Sequence, residues 1–221
     1  MNRTRLVVAG LMAASLLAAC NGPSGSTSRA RGIGAYDRGD YPGALQHFTA
    51  ARDKLPGEAR SHYDLGRTQL ALGNATEARN AFGVALRLDP ENETYLRGQV
   101  DAMIADDRGA QAIEMLTERA ERLDTPEAWL LTGDTQRRLG FPEAARDSFA
   151  RADAVGLGRS IEAHRALAQL RREVGDRDGE LRRLSYILYL DPTDPMANAR
   201  VRELGEIPGP AFRQAPPRPG S

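Results

Sequence analysis

The feature that most constrains this chain is an internal period of about 34 residues. Ala44, Ala78 and Ala112 stand one period apart, and Phe48, Phe82 and Leu116 follow four residues later with the same step. Ala51, Ala85 and Ala120 keep it to within one residue, and Ala145, Phe149 and Ala152 continue it at a step of 33. Within each block, positions i, i+4 and i+7 form one apolar stripe on a helix. A second helical pattern lies upstream of each block, joined to it at Gly39, Gly73, Gly140 or Gly175. Glycine there takes the left-handed conformation that ends a helix. One such helix pair cannot bury its apolar face alone, so tandem copies predict an all-α stack with a continuous core.

Composition agrees. Aromatics are only 5% of the 221 residues, while alanine, leucine, arginine and glutamate, which lose little rotamer freedom in a helix, are abundant. The 30 basic and 30 acidic residues cancel, so net charge implies no polyanionic partner. Lys54 is the sole lysine. That arginine bias reads as coding preference ahead of partner-facing guanidinium groups. A single cysteine excludes an intramolecular disulfide and a cysteine-based metal cluster.

The clearest unit runs from Ala59 to Pro90. It holds Leu65-Gly66, Leu70, Gly73-Asn74, Ala78, Phe82, Ala85 and Leu88-Asp89-Pro90, and it resembles the tetratricopeptide repeat at nearly every signature place. Gly66 and Ala78 are small where two antiparallel helices approach, Phe82 and Leu86 fill the space to the neighbour, and Pro90 stops the second helix. The resemblance implies a superhelix, an α-solenoid, of about five helix-turn-helix repeats. They lie near residues 28–57, 59–91, 92–124, 126–157 and 160–192, within an array over 29–205. The third is degenerate, with Val100 at the small position and Asp107 at the turn glycine. The fourth opens at Thr125-Pro126, a helix start with proline at its first position. The fifth departs at Glu180 and Ile187, where small residues are expected, which predicts looser packing or a modified end. Residues 195–205 read as a capping helix. The proline-rich tail 206–221 reads as disordered, with a polyproline ligand as the second reading.

The N-terminus reads as an address. Arg3 and Arg5 precede an apolar stretch from Leu6 to Ala19, too short for a membrane span of about 20 residues and suited to a secretory signal. Leu17-Ala18-Ala19-Cys20 resembles the lipobox of bacterial lipoproteins, in which the cysteine is lipidated and begins the mature chain. An ordinary signal cut after Ala19 and an uncleaved anchor are the competing readings. The lipobox alone explains why the only cysteine falls there. Residues 1–19 are then the signal and 20–28 a flexible tether. Asn21 after the cysteine implies, by resemblance to sorted lipoproteins, an exported chain held at the periplasmic face of the outer membrane, ahead of the inner membrane.

Chemistry is sparse. His47, His62 and His164 lie in different helices without metal-ligand spacing, and Gly32-Ile33-Gly34 lacks the rest of a dinucleotide fingerprint. No Walker motif or nucleophile elbow occurs, and the carboxylates read as solvated helix faces. The arginine pairs at 137–138, 171–172 and 182–183 interleave with Glu143, Asp147, Glu173 and Glu180, which argues against nucleic acid. No catalytic residue, cofactor, metal or small-molecule substrate is expected. An enzyme with a site in the groove is the remote alternative.

In the resembled family the concave wall is lined by the first helix of each pair. That pattern places Tyr63 and Arg67, Arg97 and Asp101, Leu130, Asp134 and Arg137, and Arg165, Gln169 and Arg172 along a groove for a peptide or helix of a protein partner. About half of them are expected to be merely solvated, since few interface residues carry most binding energy. The lysine–asparagine set of repeats that clamp chaperone tails is missing. A lipoprotein of such repeats resembles the pilotins and the Tad/Flp pilus assembly lipoproteins, which implies an envelope scaffold assisting pilus or secretin assembly. Outer-membrane protein insertion or cell-wall synthesis is the alternative.

Overall fold

The computed structural model describes residues 23–217. The signal, Cys20 and the last residues of the tail lie outside the described part. Among the described residues there are eleven α-helices and no strand. In chain order they are α1 (Gly25–Asp37), α2 (Tyr41–Lys54), α3 (Ala59–Ala71), α4 (Ala75–Leu88), α5 (Glu93–Ala105), α6 (Gly109–Leu123), α7 (Pro126–Arg138), α8 (Pro142–Val155), α9 (Ile161–Glu173), α10 (Arg177–Leu190) and α11 (Pro195–Glu203). No described helix is long and apolar enough to cross a membrane. The helix α1 starts at Gly25, capped by Ser24, whose hydroxyl accepts from Thr27 N at 3.1 Å. Residues 25–28, expected in the tether, are therefore its first turn. Gly32-Ile33-Gly34 lies inside the same helix.

The chain divides into two compact units, residues 1–107 and 108–221. The division falls inside the third repeat, between α5 and α6, at the degenerate turn. In the first unit α1 pairs with α2, α3 with α4, and α5 packs on both α4 and α3. In the second unit α6 packs on α7, α7 pairs with α8, α9 with α10, and α11 covers α10. Inner helices α1 and α3, α3 and α5, and α7 and α9 also touch. Within each unit every helix packs on the next one along the chain, as tandem hairpins require.

The repeated residues build the core. The alanines at 44, 51, 78, 85, 112, 120, 145 and 152 are all fully buried, as are Phe48, Phe82, Leu116 and Phe149. Each phenylalanine lies on a glycine of its partner helix. A methyl added to Gly32 would stand 2.6 Å from the ring of Phe48, one on Gly66 2.8 Å from Phe82, and one on Gly133 2.5 Å from Phe149. The turns close in one recurring way. Gly73 (φ +80°) donates to Leu70 O at 3.0 Å and Asn74 N to Gln69 O at 2.9 Å, which satisfies two carbonyls the helix end would otherwise orphan. Gly39, Gly140 and Gly175 repeat this bonding, and Gly205 ends α11 likewise. Asp107 adopts φ +57° at the degenerate turn, a conformation an L-residue enters at a cost of roughly 1–2 kcal/mol.

The fifth repeat is tightly packed at its altered positions. Glu180 is buried and its carboxylate receives Arg200 of α11 through two bonds, Nε at 2.6 Å and Nη2 at 3.1 Å. Ile187 joins Leu184, Leu188, Ala197 and Val201 in one apolar cluster. The larger side chains are the seat of the capping helix. The tail is also placed: Phe212 packs against this cluster and Pro216 lies against Gly158.

Candidate partner-binding site

The expected groove residues are placed on α3 and α5 in the first unit and on α7 and α9 in the second. In the first unit Tyr63 of α3 sits 5.1 Å from the ring of Tyr95 on α5 and 5.6 Å from Phe82. The Arg67 guanidinium lies 3.9 Å over the ring of Tyr36 on α1, which itself meets Tyr41 edge-on at 5.2 Å. Tyr95 and Tyr36 were not among the expected residues, and the tyrosines flanking Tyr63 are what make this face aromatic. Beneath them Asp64, almost wholly buried, accepts from Arg29 of α1 at 2.6 Å. Burial pushes the Asp64 carboxyl above its usual range, although Arg29 pulls it back. This pair ties α1 to α3 and fixes the spacing of the aromatic face. Arg97 is exposed and reaches only Glu93 on its own helix, at 3.9 Å. Asp101 is half-buried on α5.

In the second unit the polar groups form a run along α7 and α9. Asp134 pairs with Arg137 at 3.0 Å, Arg137 reaches Glu173 at 3.4 Å, and Gln169 donates to the same Glu173 at 3.1 Å. Arg165 donates to Asp194 at 2.8 Å, and the other oxygen of Asp194 caps α11 through Ala197 N at 2.8 Å. Leu130 is half-buried and packs against the cluster of Ala145, Phe149, Leu167 and Leu170.

Between α9, α10 and α11 the second unit opens a cleft of about 720 Å³. Arg165, Gln169 and Arg172 form one wall, Ala168, Leu184, Ile187 and Ala197 the floor, and Glu180, Arg200 and Glu203 the other side. Met196 stands at the rim, 67% exposed. A volume of this size suits a ligand or a few partner side chains. Arg172 makes no ion pair among the described residues, whereas Arg165 and Arg200 are already matched with carboxylates. The cleft therefore offers one uncommitted guanidinium beside an aliphatic floor. Sequence reasoning missed Asp194, Met196 and Arg200, which belong to the capping helix and its N-cap. The available signal was Glu180, an acid at a small-residue position.

His164, expected to carry no metal, is fully buried in α9. Arg183 donates to its Nδ1 at 3.2 Å, so Nε2 carries the proton and donates to Gly158 O at 3.0 Å. Burial lowers its pKa, opposed by Asp153 and reinforced by Arg183. It is a structural joint between α9, α10 and the turn after α8. Among the described residues no group of three or more histidine, cysteine or acidic side chains is arranged to hold a metal ion.

Antiparallel helix pairs with aromatic and arginine-lined inner helices define a helical-repeat interaction protein. Residues 35–99 and 99–159 each match the family described as tetratricopeptide repeat. Together they span more than half of the chain, and the chain belongs to that family, whose members bind protein or peptide partners. Solved structures share the fold. A tetratricopeptide repeat protein from Parabacteroides merdae is 22% identical, with 83% of this chain and 73% of that one covered and a TM-score of 0.56. TTC0263 of Thermus thermophilus is 23% identical over 82% and 98%, with a TM-score of 0.52. PilF of Pseudomonas aeruginosa is 16% identical over 82% of each chain, with a TM-score of 0.54. Among curated proteins, the cytochrome c-type biogenesis protein CcmH of Escherichia coli is 42% identical over 50 residues. That match covers 23% of this chain and 14% of the relative.

Proposed function

We propose that the chain is a lipid-anchored scaffold of the bacterial envelope that binds a protein segment and assists pilus or secretin assembly. The observation that carries the binding reading is the cleft of the second unit, where Arg165, Gln169 and Arg172 stand beside an aliphatic floor. Arginine and tyrosine flanked by apolar surface are the groups that dominate binding energy at protein interfaces. The lipobox-like ending at Cys20 supports an anchor, and Asn21 supports the outer membrane. The shared fold with PilF is compatible with a pilus role. The membrane part is tested by Cys20→Ser, which is expected to move the chain from the membrane fraction to the periplasm; unchanged fractionation overturns it.

A second reading rests on the 50-residue likeness to CcmH, which supports a part in c-type cytochrome biogenesis. One deletion strain separates the two. Loss of surface pili and of secretin multimers, with normal covalent haem in c-type cytochromes, supports the first reading. The opposite pattern supports the second.

A further inference from the structure

The tail has a built resting place outside the inner helices. After Gly205 (φ +81°) ends α11, Arg177 of α10 donates from Nη2 to Leu204 O at 2.6 Å and to Glu206 Oε1 at 3.0 Å. Phe212 then packs against the cluster that Leu184, Ile187 and Leu188 of α10 form with Ala197 and Val201 of α11, and Pro216 comes to rest beside Gly158. The segment between, Pro208 to Pro217, is one phenylalanine flanked by prolines.

The fit is incomplete. A space of about 310 Å³ remains between Phe212 and Gln214 of the tail and Asp178, Leu181, Arg182 and Ser185 of α10. The Arg213 Nε–H is buried and has no acceptor among the described residues. A buried donor left unpaired works against the arrangement that buries it, and unfilled space forfeits contact on both walls. The tail is thus held by one ring, its prolines and a hinge-side pair of hydrogen bonds, with room for a better occupant.

We infer that this strip of α10 is a docking site for an extended, proline-flanked phenylalanine segment of a partner protein, and that the chain's own tail occupies it at rest. The partner's chemistry is defined by what already sits there: an aromatic anchor for the apolar cluster of α10 and α11, prolines that cost little entropy to order, and an acceptor where Arg213 now has none. Tethering by a few residues gives the tail an effective concentration on the order of millimolar, so a free segment competes only where it fits better or where the tail is withdrawn. This site borders the cleft through Leu184, Ile187 and Ala197 but is occupied from the tail's side, and its failure leaves the proposed scaffold role untouched.

The test uses the full chain, a version ending after Glu206, and a fluorescent peptide of residues 207–217 as probe, read by anisotropy. The shortened chain is expected to bind the peptide, the full chain at least tenfold more weakly, and a Phe212→Ala peptide at least tenfold more weakly still to the shortened chain. Absence of binding to a shortened chain with unchanged helical circular dichroism overturns the inference, as does equal binding to both chains. If shortening unfolds the chain, the full chain carrying Phe212→Ala takes its place and is expected to bind the unmodified peptide tenfold more tightly than the unaltered chain does; equal binding overturns it. A full chain that sediments as a dimer until Phe212 is replaced also overturns it, because the strip would then belong to a second copy.

Discussion

Gly66 and Phe82 give the sharpest test of how the repeat is held together. The face of the Phe82 ring lies on Gly66 of α3, with three ring carbons 2.8–2.9 Å from where a methyl would stand. The same ring also meets Gly98 of α5, where an added methyl would be 2.6 Å away. Carbon contacts are optimal near 3.5–4.0 Å, so Gly66→Ala demands a shift of about 0.7 Å that the ring cannot make away from α3 without meeting α5. Overpacking of this kind costs about 1–3 kcal/mol, while alanine in a helix interior returns about 1 kcal/mol over glycine. The net expectation is a loss of about 0–2 kcal/mol. Gly83 in α4 is the matched control, since an added methyl there meets nothing nearer than Gln99 at 3.6 Å. Gly83→Ala is expected to stabilise by about 0.5–1 kcal/mol. Urea unfolding followed by circular dichroism reads both, and Gly66→Ala combined with Phe82→Leu is expected to regain part of the loss. If Gly66→Ala proves as stabilising as Gly83→Ala, the close-approach account of the glycine is wrong.

Arg200→Ala strands the buried Glu180 carboxylate and is expected to cost about 2–3 kcal/mol, less than the roughly 3–5 of a fully buried pair because Arg200 keeps partial contact with water. Adding Glu180→Ala, the residue at the matching place in the other repeats, is expected to recover most of that loss; hydrogen exchange of α11 amides would show no recovery if the pair were incidental. For His164 the folded pKa lies below its ordinary 6.5, so the unfolded chain takes the proton first. Its contribution is complete above about pH 6.5 and is lost as pH falls below that value; a melting temperature that stays flat from pH 7.5 to 5.5, or a His164 resonance titrating above 6.5, contradicts this.

Much of the fold was legible from the residues. The 34-residue step, the buried alanines and phenylalanines and the four turn glycines follow from local rules. Helical period, small-residue spacing and left-handed turns each act within a few positions of the chain. The expected groove residues lie on α3, α5, α7 and α9. Their roles did not follow from spacing, because pairing depends on which helices meet. Leu130 is half-buried against the core, Arg165 is committed to Asp194, and Arg172 in the cleft wall has no ion pair among the described residues.

By itself the sequence determined that the chain is a series of helix pairs, where each pair turns, and that its single cysteine, Cys20, follows an apolar stretch. Only the tertiary structure decided how the last repeat ends. Glu180 looked like a defect in the pattern, yet it is buried because Arg200, twenty residues on, comes back to meet it through the capping helix. Phe212 looked like part of a loose tail, yet it packs against the apolar cluster that α10 and the capping helix build together. Periodicity is a local property, legible along the chain. The partner of a buried charge or of a single ring is set by packing between distant segments, and that appears only once the helices are in place.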